Sequence, residues 1–226
     1  MYNTTLIGRR KVAANTLEIS IKRPTDFLFE PGQYIQLKIP KLSYSDYDGA
    51  SRVLSIASSP LDEESISLAF RDTNSGFKRT IRELPMNSQI IIEGPHGFLV
   101  LPEDPGCSVF FIAGGIGITP YLSMIQYALE RGFTSSMTLI YANRDKESAA
   151  YLDQLQTLAK RYSSFSLKTV FGKIDELYIQ QNINSTEGAK WFVAGPPAMV
   201  SHVHGTLVSL GIDDANICLE EFTGYE

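Results

Sequence analysis

The chain has 226 residues, 43% hydrophobic and 20% charged, with a net charge of −5, so it can form one large domain or two ordinary ones and has no general affinity for nucleic acid. No segment approaches the ~20 apolar residues of a membrane-crossing helix, and residues 1–10 lack an apolar signal core, which points to the cytoplasm. Cys107 and Cys218 cannot supply the four thiolates of an iron–sulfur cluster or a Cys₄ zinc site, so no metal site is expected, any cluster is expected on another protein, and both read as buried thiols in a reducing compartment.

From residue 5 to about 104, short β-patterned runs alternate with Gly, Pro, Asn and Asp. The clearest are 16–22, 34–39, 52–58, 65–71 and 89–93, and their spacing predicts a small antiparallel barrel or sandwich. A short helix at about 77–84 interrupts it, and the triplet Arg9-Arg10-Lys11 reads as solvated surface. After Pro105 the pattern changes to strand 108–113, helix 120–131, strand 137–142, helix 148–161, strand 166–170, a short helix near 174–181, strand 190–194 and helix 197–210. Residues 216–219 suit one more strand. Strand alternating with helix predicts a parallel sheet with right-handed crossovers. The fold class is therefore two-domain: an N-terminal antiparallel β-barrel over 1–104 and a C-terminal α/β parallel-sheet domain over 105–226.

Ligands of such a sheet sit beyond the carboxyl ends of its strands. Three segments converge there: the glycine-rich Gly114-Gly115-Ile116-Gly117-Ile118-Thr119-Pro120, Ala142-Asn143-Arg144, and Ala194-Gly195-Pro196-Pro197. Glycines at a strand-to-helix junction let a ligand approach the backbone and leave helix N–H groups free, which suits a diphosphate. Such turns also arise from packing alone, but three glycine- or cation-bearing loops at one edge favour a dinucleotide. In the barrel half, Arg52 and Ser55 fall on opposite faces of a regular strand. An arginine can clamp phosphate through two donors, and a serine hydroxyl can bond a flat heterocycle, although Arg52 alone also reads as a surface charge. Ser75-Gly76-Phe77-Lys78 opens the predicted helix with glycine and cation together, equally a second anion site or an exposed turn.

Six motifs stand in sequence as Pro31-Gly32-Gln33-Tyr34, Arg52-Val53-Leu54-Ser55, Gly94-Pro95-His96-Gly97, the glycine-rich stretch 114–120, Ala194-Gly195-Pro196-Pro197-Ala198-Met199 and Glu220-Glu221-Phe222. In this order and spacing the chain resembles the ferredoxin–NADP⁺ reductase superfamily of flavin-dependent oxidoreductases over essentially its whole length. The resemblance implies a flavin-binding barrel, a nicotinamide-nucleotide domain, and hydride transfer from NAD(P)H to the flavin N5 in the cleft between them. It implies that Arg52 binds the flavin phosphate, that Val53, Leu54 and Ser55 line the isoalloxazine with Ser55 near N5, and that Phe70 sits beside the flavin chain. Gly76, Phe77 and Lys78 are implied to hold the FAD diphosphate, and Gly114, Gly115, Ile116, Gly117 and Thr119 that of NAD(P)H. Gly195, Pro196 and Met199 are implied to line the nicotinamide path, Glu220 to orient the nicotinamide amide, and Phe222 or Tyr225 to cover the flavin. Ser55 and Glu220 are thus the candidate catalytic residues.

The chain departs from the family pattern in places. Leu54 replaces a frequent aromatic, which implies aliphatic contact and weaker flavin binding, and Ala194 replaces the cysteine of plant-type members. Arg79 stands where a small hydroxyl residue is usual, with Thr80 one step later, which implies a helix cap traded for positive charge. Arg144, with Lys146 nearby, is placed to face a 2′-phosphate, and no acidic residue suited to a free ribose diol is obvious, so NADP(H) is favoured over NAD(H). The leading expectation is an FAD-dependent NAD(P)H oxidoreductase that passes electrons to a ferredoxin or flavodoxin, docked on Arg9, Arg10, Lys11, Arg79 and Arg82. The alternatives are a reductase that treats free flavin as substrate, and a clusterless electron-transfer subunit of a larger enzyme.

Overall fold

A computed structural model describes residues 1–104, 106–183 and 188–222. The first half contains β1 (Tyr2–Ala13), β2 (Thr16–Lys22), β3 (Tyr34–Lys38), β4 (Ser51–Ser55), β5 (Ser65–Arg71), helix α1 (Gly76–Glu83) and β6 (Gln89–His96). The strands pair antiparallel in the order β4-β3-β6-β1-β2-β5, and a bridge from Ile56 to Leu68 ties the end of β4 back to β5, which closes the sheet on itself. Alternation explains the interior: Ile19 and Ile21, Ile35 and Leu37, Ile66 and Leu68, Ile90 and Ile92 point inward two by two, and Phe77 and Ile81 of α1 plug the barrel.

β1 is the strand whose pattern is least legible, because register shifts between Leu6 and Gly8 and between Lys11 and Ala13 break its alternation. The triplet Arg9-Arg10-Lys11 lies within it and is not simply solvated surface. Arg9 donates to the carbonyls of Arg82 and Leu84 at the C-terminus of α1, where a cation is favoured, and Arg10 pairs with Glu18 at 2.6 Å.

The second half runs β7 (Val109–Gly114), α2 (Ile118–Glu130), β8 (Met137–Asn143), α3 (Leu152–Arg161), β9 (Phe165–Phe171), α4 (Glu176–Asn182), β10 (Lys190–Gly195), α5 (Pro197–Ser209) and β11 (Ile217–Glu221). All pairings are parallel, in the order β11-β10-β7-β8-β9. β7 is buried along its whole length because helices cover both faces of the sheet. α3 begins four residues later than its pattern suggests, since Tyr151 takes a left-handed φ of 61° and residues 145–148 form a turn of their own. Cys107 and Cys218 are free and half-buried, not buried as expected.

The chain proceeds from β7 outward to β8 and β9, then returns to place β10 on the other side of β7, so the sheet reverses direction between β7 and β10. That reversal opens the crevice in which such sheets bind ligands.

β5 joins the halves. Its residues Ile66, Leu68 and Phe70 face the barrel core, whereas Ala69, on the opposite face, belongs with Ala57 to the hydrophobic cluster built around α2. Ser123 of α2 donates to the Ser58 carbonyl at 2.6 Å, and Ser59 donates to Glu130 at 2.7 Å.

Candidate functional site

At the reversal point the glycines of β7 and β10 are pressed together. A Cβ on Gly195 would stand 3.1 Å from the Gly114 backbone, and one on Gly117 would stand 2.5 Å from the Ala194 carbonyl oxygen. Met199 lies over both strand ends, with its sulfur 2.5 Å from where a Gly114 Cβ would be, and Pro196 lies beside it. Gly195 also accepts from the Phe222 N–H at 2.9 Å, so the C-terminal strand is tied to the same crevice. Tyr225 lies outside the described residues. Because backbone cannot yield as a side-chain tip can, Gly117→Ala is expected to destabilise the protein by about 2 kcal/mol, read as a lowered thermal midpoint, whereas at Gly114 the flexible Met199 gives way and Ala costs less.

Only part of the glycine-rich loop faces outward. Gly115 is half-exposed at φ +55°, and no side chain caps the N-terminus of α2. The Ile118 N–H bonds the Ile116 carbonyl and Pro120 has none, so the backbone open to an anion is that at Gly115. Ile116 is buried in the core, and the Thr119 hydroxyl is spent on the Ile116 carbonyl at 2.9 Å, so neither side chain is a ligand contact as expected; the loop's backbone is what it presents.

The Tyr141 hydroxyl braces the loop from below through the Gly115 carbonyl, 3.0 Å away. Arg71, passed over in the sequence, reaches across the seam. Its guanidinium donates to Thr16 at 2.6 Å and to the Ser148 carbonyl at 3.1 Å, and its other terminal nitrogen lies 3.0 Å from the Cβ position of Gly115. Strand alternation in β5 was the available signal, since it sets Arg71 opposite Phe70. Phe70 itself is 5% exposed and packs in the barrel core.

The barrel edge centres on Arg52. Its side chain is 17% exposed, pairs with the Asp46 carboxylate at 2.6 Å and lies over the Phe77 ring. The second oxygen of Asp46, itself 3% exposed, accepts from the Phe77 N–H at 2.6 Å, and Ser75 Oγ accepts from the Lys78 N–H. Burial raises the Asp46 acid, but hydrogen bonds from the Phe77 N–H, Arg52 and the Asp48 N–H more than reverse this and hold it at about 2. Lys78 joins the cluster, its ammonium lowered by burial and by Arg52.

Two expectations change here. The helix cap is not traded away, because Ser75 caps α1 and Arg79 stacks on Tyr44. Gly76 serves loop packing, since a Cβ there would meet the Ser45 carbonyl at 2.1 Å.

Between the two edges stand Ser55 and Glu220. Strand β4 places Ser55 opposite Tyr34, where it is buried, whereas Val53, two residues before it on the same face, is 61% exposed and Leu54 is half-buried. Glu220 pairs with Ala194 across β10 and β11 and stands beside Ser55, with its Oε2 buried and without a hydrogen-bond partner among the described residues. Burial pushes Glu220 up to about 7 against the smaller downward pull of Ser55. On the same face the Tyr121 hydroxyl is fully buried without a hydrogen-bond partner among the described residues, and its acidity is suppressed by burial and then by Glu220.

At the end of β8, Arg144 projects with its side chain 82% exposed beside Asp145, while the 6%-exposed Asn143 keeps both amide atoms unpaired among the described residues. A cleft of about 430 Å³ lined by Arg10, Glu18, Ser59 and Glu130 opens beside the C-terminal half of α2, but its charged groups already engage one another and it lies away from the strand ends. The cations offered as a docking surface do not form one free patch. Arg9 caps α1, Arg10 pairs with Glu18, Arg79 stacks on Tyr44, and Arg82 pairs with Asp72 at 3.0 Å.

Residues 111–205 match the oxidoreductase NAD-binding domain family. The chain is 32% identical over 223 residues to the 2-halobenzoate 1,2-dioxygenase electron transfer component of Burkholderia cepacia, covering 92% of this chain and 62% of that protein. It is 28% identical over 206 residues to the ferredoxin reductase component of 3-ketosteroid-9-alpha-monooxygenase from Mycolicibacterium smegmatis, covering 88% of this chain and 57% of the other. Its fold superimposes on ferredoxin–NADP⁺ reductase from Plasmodium falciparum with a TM-score of 0.80 at 21% identity, over 97% of this chain and 95% of the other. Residues 111–205 thus carry an oxidoreductase NAD-binding domain, and the chain as a whole shares the fold of ferredoxin–NADP⁺ reductase. It spans about three fifths of the length of the curated relatives it matches. The flavohaem-like FAD/NAD-binding domain of a nitric oxide dioxygenase from Vibrio cholerae shares the fold at 17% identity, over 97% of this chain and 98% of that one, with a TM-score of 0.85.

Proposed function

We propose that the chain is an NAD(P)H-dependent flavoprotein reductase, with FAD held by the barrel of residues 1–104, a nicotinamide nucleotide held by residues 105–226, and electrons passed on to a separate redox protein such as a ferredoxin or flavodoxin. One observation carries it: the Arg52–Phe77 anion cradle of the first half and the half-exposed Gly115 backbone of the second flank Ser55 and Glu220 at the seam. The flavin cradle fits an anion on the chain's own showing, because the Asp46 carboxylate already sits on Arg52 and the Phe77 amide. Bound flavin supplies the capacity to take two electrons and release them singly.

The protein's part is positional. Arg52, Phe77 and Lys78 anchor phosphate, Val53, Leu54 and Ser55 form the floor for a flat ring, and the backbone at Gly114, Gly115 and Gly117 with Arg71 grips the second diphosphate. Gly195, Pro196 and Met199 frame the approach of the nicotinamide, and Phe222, hydrogen-bonded to Gly195, stands where an aromatic can cover the crevice. Holding donor and acceptor in contact and excluding water accounts for the rate without a strong acid or base.

The names of the relatives, electron transfer component and ferredoxin reductase component, support handing electrons to a protein over reducing free flavin. Among the described residues no helix is long and apolar enough to cross a membrane, and the two free cysteines suit a reducing cytoplasm.

Anaerobic mixing of the flavin-loaded protein with NADPH and with NADH tests this reading: flavin absorbance at about 450 nm is expected to bleach, and it is wrong if neither coenzyme bleaches it. Arg144, exposed at the end of β8, is expected to recognise a 2′-phosphate. Arg144→Ala should then raise the NADPH concentration needed for half-maximal reduction about tenfold and leave NADH within about twofold.

A further inference from the structure

Residues 40–50, between β3 and β4, are held in two different ways. The first part is pinned to α1: the Ser43 N–H donates to Thr80 at 3.1 Å, the Tyr44 hydroxyl donates to Glu83 at 2.6 Å, and Arg79 lies 3.8 Å from the centre of the Tyr44 ring. The carbonyls of Tyr44 and Ser45 fill the space left by the missing Gly76 side chain. Beyond Ser45 the attachment is different in kind. Residues 46–49 form a turn closed by the Gly49 N–H on the Asp46 carbonyl at 3.2 Å, with Tyr47 wholly exposed and Gly49 at φ +77° in open space.

That turn is fastened to the barrel through the Asp46 carboxylate and through the carbonyls of Asp48 and Gly49, which accept from Arg52 Nη1 at 3.3 and 3.1 Å. One carboxylate oxygen takes the Arg52 guanidinium and the other takes the Phe77 N–H, each at 2.6 Å. A cation aimed along a strand and a free amide at a helix N-terminus are the donor set that recognises a phosphate oxygen. Here the chain's own carboxylate provides the anion.

We propose that the 46–49 turn is a latch on the flavin-phosphate cradle, in which Asp46 competes with the phosphate of the incoming flavin for Arg52 and the Phe77 amide. The proposal rests on the flavin reading above and adds how that site is loaded. Asp46 occupies the Nη2 donor of Arg52 and the Phe77 N–H together, and its charge repels a second anion there, so a phosphate takes that pair of donors only as Asp46 leaves. The pinned first part keeps α1 in place while Ser45 and Gly49 supply the hinge points on either side of the turn. Specificity follows as well: a flavin without phosphate has nothing to exchange for Asp46.

The test is to titrate the refolded, flavin-stripped full chain with FAD, FMN and riboflavin by fluorescence quenching, for the parent protein and for Asp46→Asn, Asp46→Ser and Asp48→Asn. Asp48, 70% exposed and 3.5 Å from Arg52, is the charge control. The two Asp46 variants are expected to bind FAD and FMN about tenfold more tightly than the parent, with riboflavin unchanged and Asp48→Asn within about twofold. The latch is overturned if the parent binds FAD and neither Asp46 variant, shown folded by its riboflavin binding or its circular dichroism, binds it more tightly. It is overturned equally if riboflavin gains as much as FAD. If no protein of the set quenches any flavin, the flavin reading itself fails and takes the latch with it.

Discussion

Arg52→Ala is expected to lower the stability of the protein by about 3 kcal/mol, because it strips a buried carboxylate of its cation and leaves Asp46 with only backbone N–H partners. Thermal or urea unfolding measures it, and the double variant with Asp46→Asn checks the cause: removing the orphaned charge as well should restore roughly half of the loss. The pH dependence carries the same signature. Asp46 is held at about 2 in the folded protein against an ordinary 3.8, so its contribution is present above pH 3.8 and disappears as pH falls through about 2. Without Arg52 the acid rises, and acid unfolding begins at a higher pH. The same substitution should weaken FAD by about a hundredfold, since the guanidinium is also the main cation of the proposed phosphate cradle.

Glu220→Gln is expected to slow flavin reduction by about a hundredfold and to flatten its dependence on pH. In the parent protein the rate should rise as pH increases through about 7, the value to which burial pushes the Glu220 carboxyl, because the anion then faces the positive charge that develops on the nicotinamide ring. Glutamine keeps the shape and cannot ionise. A stopped-flow profile from pH 6 to 8.5 separates the two, and an unchanged profile in the variant removes Glu220 from the chemistry. Stability supplies an independent check with a definite sign. The folded protein keeps this proton up to about pH 7 while the unfolded chain loses it near 4.5, so stability falls as pH rises between those limits, by roughly 3 kcal/mol. The variant lacks that slope, and at pH 8 it should melt higher than the parent.

Much of this architecture is written in local pattern. Thr16–Lys22 and Ser65–Arg71 are strands over the residues their alternation marks, and antiparallel strands up to His96 give way to alternating strands and helices from Val109. β1 escaped full recognition because its bulges interrupt the period on which such reading depends. The glycines at 114, 117 and 195 were legible as a close approach of backbone, and at 117 and 195 the approach is to other backbone.

Side-chain partnerships were not legible. Nothing adjacent to Arg52 in sequence says that Asp46 will bury itself against it and against Phe77 at once. Phe70 and Arg71 are neighbours in the chain, yet one fills the barrel and the other crosses to the nucleotide loop, because successive strand residues face opposite ways and only the packing of the two halves decides which face becomes the seam.

The sequence alone determined the two-part fold, the parallel order of β and α in its second half, and the presence of glycine-rich turns at one sheet edge, since each depends on periodicity or backbone freedom within a few residues. The tertiary structure decided the ionisation of Glu220, the capture of Arg52 by Asp46 and the reach of Arg71 towards Gly115. Those depend on burial and on distances between segments far apart in the chain, and electrostatic energies follow distance and desolvation through space, not separation along the backbone.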